Sequence, residues 1–193
     1  NLKIITMAAP QRMFYSAIWM VRLLQKNAVP QIAEQTYKKH IRMTLKQFKQ
    51  YIEYAPSNFE HLYYLLKAEY SHYLGKSSST KLYYDRAIQL ASFNGFLCDK
   101  ALINRCAALF YEEQNERQRA EEYMQQAVEL LKEWGAYRLA THWEQQYGHL
   151  LHNKQLTQKS KVHVPFDMHV VIEVNEILSR ETKMDELIQK VLL

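Results

Sequence analysis

The chain of 193 residues carries eight histidines, two cysteines and fourteen tyrosines, and these are the first places to look for chemistry. His149 and His152 stand three residues apart. On a helix that step turns the side chains by about 60°, near enough for two imidazoles to share a metal ion. A helix-borne zinc site adds a carboxylate or cysteine at matching spacing, and none stands there, so the pair reads as surface histidines near a helix end. None of the histidines sits in an acidic, arginine-containing helix start suited to a phosphoacceptor. Cys98 and Cys106 lie eight apart in helical sequence, which is neither a disulfide framework nor a ligand pattern. Without a basic activating neighbour they read as small buried hydrophobes. Glycines 75, 95, 135 and 148 are too scattered to cradle a phosphate. The run Tyr63, Tyr64, Tyr70, Tyr73, Tyr83 and Tyr84 could stack on bases, yet aromatics at helical spacing ordinarily pack, and packing is the reading adopted. No nucleophile, base and orienting group fall together, so no catalytic, cofactor or metal site is expected.

The elements that would position these residues are helical. Apolar side chains make up 48% of the chain, while glycine and proline together are too few for a sheet protein with many tight turns. Phe14, Ile18, Val21 and Leu24 fall on one helical face, and Ile41, Leu45, Phe48 and Ile52 on another, which predicts a long helical hairpin. Pro30 fits the first turn of the second helix, and the stretch from Tyr54 to Asn58 ends it, with Ser57 or Asn58 able to cap the next start.

From Phe59 the chain repeats: Ala68 and Ala108, Ala87 and Ala127, Leu90 and Leu130, and Gly95 and Gly135 are each 40 residues apart. In each copy an alanine sits in the first helix, Gly75 or Asn115 marks the turn, and an alanine accompanies Tyr84 or Met124 in the second helix. Small residues there let helices approach while the large neighbour fills the gap. Ala120 has Thr80 as its counterpart, small for small. This spacing resembles the tetratricopeptide repeat, with longer units and without its usual tryptophan and closing proline. Leu139, Trp143, Tyr147 and Leu150 read as half a repeat closing the stack. The expected fold is all-α: a tetratricopeptide-like antiparallel helix-pair stack with a C-terminal connector helix. By that analogy the positions facing a concave groove are Glu69 and His72, Arg105 and Glu112, and Gln145 and His149.

The helical repeat domain is placed at residues 1–152, a polar linker at 153–165 ending in Pro165, and connector helices at 166–193. Val171, Val174, Ile177 and Leu178 form an apolar face that calls for a second chain or a downstream domain, so a homodimer through these helices is expected. Both ends, Asn1 and Leu193, read as cuts within a longer protein. No run approaches the roughly 18 apolar residues needed to span a bilayer. Two cysteines and no disulfide pattern suit a reducing cytoplasm. The net charge is +5, with the cations read as spread along the chain rather than gathered on a stripe, so nucleic acid is not expected as a partner.

A family resemblance rests on residues 54 to 61, on Tyr84-Asp85-Arg86-Ala87-Ile88 with Asn94-Gly95, and on Ala101-Leu102-Ile103-Asn104 with Ala107 to Tyr111. Trp134-Gly135-Ala136 followed by Tyr147, Leu150 and Leu151 adds to it. These segments resemble the helical region of bacterial multi-domain signalling proteins that join a protein-kinase-like domain, an AAA-type ATPase, a GAF domain and a histidine kinase or similar output. Asp167-Met168, Val171, Val174, Ile177 and Ser179, then Met184 to Ile188, are similar to the connector leading into the GAF domain. The resemblance implies a non-catalytic coupling scaffold between an upstream ATPase-like domain and a downstream sensor and output, with protein as its partner. Two other readings stand beside it: a peptide-binding interaction domain, and the helical regulatory domain of a transcription activator.

Overall fold

The computed structural model describes residues 8–151, and these residues are all α-helical, without strands. Eight helices follow one another: α1 (Ala8–Gln25), α2 (Gln31–Tyr54), α3 (Pro56–Tyr73), α4 (Ser77–Phe93), α5 (Leu97–Glu113), α6 (Arg117–Glu133), α7 (Tyr137–Gln146) and the single turn α8 (Gly148–Leu151). Connections are so short that each helix folds back on its predecessor. α1 and α2 both pack on α3, α3 pairs with α4 and touches α5, α5 pairs with α6, and α6 carries α7 and α8.

The repeat originates in the turns. Gly75, Gly95, Asn115 and Gly135 all have positive φ and stand 20 residues apart. At each, two backbone bonds close the preceding helix: Lys76 N–H to Ser71 and Gly75 N–H to His72 in the first, Glu116 N–H to Tyr111 and Asn115 N–H to Glu112 in the third. This left-handed closing motif satisfies carbonyls that a helix end leaves unpaired. The residue after the positive-φ position also starts the next helix, its carbonyl accepting from Thr80, Lys100, Ala120 or Ala140 in turn. Caps for α4, α5, α6 and α7 are therefore Lys76, Phe96, Glu116 and Ala136, none with a side-chain capping bond. A helix and its turn occupy 20 residues, so two make the 40-residue unit.

The small residues lie where the helices meet. Ala68, Ala87, Ala108, Ala120, Ala127 and Thr80 are all fully buried, and Tyr84 and Met124 fill the space beside them. In the first hairpin Phe14, Val21, Leu24, Ile41 and Phe48 are buried, with Ile18, Leu45 and Ile52 packed against them. Two local expectations are corrected. Neither Ser57 nor Asn58 caps α3, because Pro56 occupies its first turn and Ala55 the cap position, where a fixed φ and no needed N–H suit proline. Leu139 is exposed while Ala140 and Trp143 are buried, and the helix breaks at Tyr147, so the closing half-unit is two pieces rather than one. Linker 153–165 and the connector with Val171, Val174, Ile177 and Leu178 lie outside the described residues.

Candidate functional site

Of the six positions expected to face a groove, Glu69 departs furthest from that expectation, and this is a correction: its side chain is 0% exposed. It is enclosed because α1 crosses α3 at this level, and its carboxylate holds three side chains in place. Arg22 Nη2 donates to Oε1 at 2.7 Å, the Tyr84 hydroxyl donates to the same oxygen at 2.7 Å, and Gln25 Nε2 donates to Oε2 and to the Glu69 carbonyl, each at 3.2 Å. One carboxylate thus joins α1, α3 and α4. Burial by itself works against the Arg22 cation, but Glu69, helped by Cys106 and Tyr84, carries its pKa above the ordinary arginine range. Burial, then the Glu69 charge, pushes the Tyr84 phenol well up. Burial likewise raises the Cys106 thiol to about 11, so it stays protonated at neutral pH and is no nucleophile.

His72, one turn on, is tucked between helices. Its Nδ1 faces Gln25 Nε2 at 3.3 Å, its Nε2 meets Glu113 of α5 at 2.9 Å, and its ring packs edge-on against Phe110. The Glu112 carboxylate meets His149 Nε2 at 2.7 Å, and Arg117 Nη2 donates to the His149 carbonyl at 3.2 Å. Polar contacts thus run from α1 to α3, from α3 to α5, and from α5 to α8. Arg105 lays its guanidinium over the Trp143 ring at 4.8 Å, a cation–π contact between α5 and α7, and its buried Nε has no hydrogen-bond partner. Gln145 alone of the six is exposed without a bond that ties it to another helix. The structure thus brings five of the six into contacts between helices.

A second polar pair lies at the other end of α3 and α5. His61 Nε2 meets the Asp99 carboxylate at 2.9 Å, so this nitrogen carries the proton. The ring stacks on Phe96 and is 0% exposed, leaving Nδ1 buried without a partner. A histidine oriented by a carboxylate could relay a proton, but this one is closed to any substrate. Burial, then the Asp99 charge, raises the adjoining Cys98 thiol, and burial, Asp99 and Cys98 raise the Tyr15 phenol. Among the described residues no group of three metal-ligating side chains forms. No described helix is long and apolar enough to cross a membrane.

Open surface lies elsewhere. Between α4 and α6 is a cleft of about 810 Å³, floored by Tyr111 and walled by Tyr123, Asp85 and Phe93, the last 87% exposed. Tyr111 and Tyr123 stack 5.2 Å apart, and burial, then Asp85, raises the Tyr123 phenol. The cations are also not dispersed as the linear sequence suggests. Nine of the 25 Lys and Arg but only two of the 20 Asp and Glu fall in residues 1–54. Lys39, Arg42, Lys46 and Lys49 are all exposed and follow the three- and four-residue steps of one α2 face. None of them is ion-paired or hydrogen-bonded among the described residues. No family model matches the chain, and no curated protein or solved structure matches it.

Proposed function

We propose that the chain is a non-catalytic coupling scaffold in a signal-transduction protein, carrying a conformational state between neighbouring domains along a stack of helix pairs. The observation that supports this reading is the ladder of polar contacts between helices that are not consecutive, α1 to α3, α3 to α5 and α5 to α8: Arg22 with Glu69, His72 with Glu113, Glu112 with His149. The side chains with the most chemistry to offer are engaged in internal contacts, and rigid elements joined this way pass a displacement from one unit to the next. By the resemblance described above, the neighbours would be an ATPase-like domain before the stack and a sensor with its output after it.

Hydrogen exchange on the wild type and on Glu112→Ala/His149→Ala tests the coupling. Coupling requires that cutting the last rung lower the protection of amides in α3 as well as in α5 and α8. A loss confined to α8 would refute it. The α4–α6 cleft, with its stacked tyrosines and exposed Phe93, supports a second reading as a peptide-binding domain. That reading requires Phe93→Ala to abolish capture of a partner that the wild type retains, with folding unchanged.

A further inference from the structure

We propose that the outer face of α2, with the tyrosine row of α3 beside it, is a binding surface for single-stranded nucleic acid. This goes beyond the scaffold reading and does not depend on it. Lys39, Arg42, Lys46 and Lys49 point one way from a helix whose apolar face, Ile41 and Phe48, is already buried in the core. The first and last are ten residue steps apart, roughly 15 Å along the helix axis. Among the described residues no carboxylate pairs with them, and solvent ions that balance such charges are displaced when a phosphate backbone binds.

Cations alone would suit any polyanion, and the neighbouring helix narrows the choice. Lys38 of α2 lies over the Tyr73 ring at 5.3 Å, and Tyr51 near the other end of α2 meets Phe59 at 5.4 Å. These two contacts fix an antiparallel register in which the cation stripe runs along the row Tyr64, Lys67, Tyr70 and Tyr73 of α3. Each of these four residues is only partly buried. Tyr70 and Tyr73 stack on each other, and Tyr64 leans on Tyr83 of α4 at 6.0 Å. Lys67 forms no ion pair among the described residues; its ammonium sits 4.0 Å from the Tyr83 ring centre and also covers Tyr63 and Tyr64. Exposed cations beside aromatic rings that are partly exposed are the two parts a single strand needs, the backbone tracked by charge and the unpaired bases stacked on rings. Glutamines 35, 47 and 50 and Thr36 on the same exposed face add neutral donors of the kind that contact phosphate and sugar. Ile32, Met43 and Tyr54 are also exposed on α2, so the vesicle arm of the test below separates an anionic membrane from a nucleic acid.

The test uses the whole chain and a fluorescein-labelled oligo(dT) 20-mer, with anisotropy read across a salt series. Four phosphate contacts to a single strand give a logarithmic salt slope of roughly −2.8, about a 50-fold weakening between 50 and 200 mM salt. In Lys39→Gln/Arg42→Gln/Lys46→Gln/Lys49→Gln the binding should be lost at 50 mM salt and the slope should approach zero. Arg12→Gln/Lys26→Gln/Lys76→Gln/Arg138→Gln removes the same charge from exposed positions off the stripe and should bind within about threefold of the wild type. Circular dichroism confirms that both variants are folded. Four outcomes would each overturn the proposal: no wild-type binding at 50 mM salt, an equal loss in the off-stripe variant, tighter binding of a duplex of the same length, and capture by anionic vesicles without oligonucleotide binding.

Discussion

Removing the Glu69 carboxylate should be among the most damaging single changes available in this chain. Glu69→Ala leaves the Arg22 guanidinium, 23% exposed, without its counter-ion, the buried Tyr84 hydroxyl without an acceptor, and Gln25 with one partner fewer. Breaking a buried ion pair from one side costs about 3–5 kcal/mol, chiefly because the other charge stays behind unpaired. For a chain of this size that is roughly 6–20 °C in Tm. The asymmetry gives a sharper test. The equivalent position one unit later is Leu109, so the fold already accommodates leucine at this level of the next unit. Arg22→Met/Glu69→Leu/Tyr84→Phe removes the ion pair and the hydroxyl together, leaves Gln25 the backbone carbonyl of residue 69 and His72, and should recover most of the lost stability, since a buried ion pair replaced by apolar groups is often neutral or better. Urea unfolding of the single and triple variants decides it. A loss below about 1 kcal/mol in Glu69→Ala, or a triple variant as unstable as the single, would refute the claim that stranded charge sets the cost.

The turns, the alkaline limb and the second polar pair give further expectations. Gly95 has φ of +76° and open space around an added Cβ, so Gly95→Ala should cost about 1 kcal/mol through backbone strain alone, whereas Asn115→Gly, at φ +61°, should gain a few tenths, both read by urea midpoints. The Cys106 thiol is pushed up to about 11 from an ordinary 9.0, and Tyr84 is raised as well. Their contribution is whole below the unfolded values; above pH 9 the unfolded chain sheds protons that the folded chain keeps, so stability falls as pH rises toward 11. The slope is about 1.4 kcal/mol per pH unit for each such proton. Cys106→Ala should flatten it between pH 9 and 11, and an unchanged slope would remove Cys106 from the account. Asp99→Ala leaves buried His61 with both nitrogens unpaired and should cost about 1–3 kcal/mol, while His61→Phe, which keeps the stack on Phe96 and removes both nitrogens, should cost less; thermal melts of the two variants compare them.

What could be read in advance follows from how far apart the deciding residues lie. The 40-residue offset was legible because Ala68, Ala87, Ala108 and Ala127 do the same job in successive units and need no distant partner to be recognised. The finer 20-residue step was equally present, but one of its four turn positions is Asn115 rather than glycine, which hides it from a search for identical residues. Glu69 was misplaced for a different reason. A carboxylate one residue from a packing alanine reads as solvent-facing by periodicity, and only α1, with Arg22 47 residues earlier, encloses it. The α2 cations were missed because they are interleaved with Gln, Thr and Met along the chain and align only when each residue is turned by about 100°. In both cases the deciding neighbours are set by the fold and not by adjacency in the chain. Polar residues at interior-facing positions, Glu69 and His72 among them, are spent on helix-to-helix contacts. Four of the cations unpaired among the described residues share one face of α2, the longest described helix, while Arg12, Lys26, Lys76 and Arg138 stand singly elsewhere. Units that repeat their packing alanines differ both inside, where Glu69 stands against Leu109, and on the open face of α2.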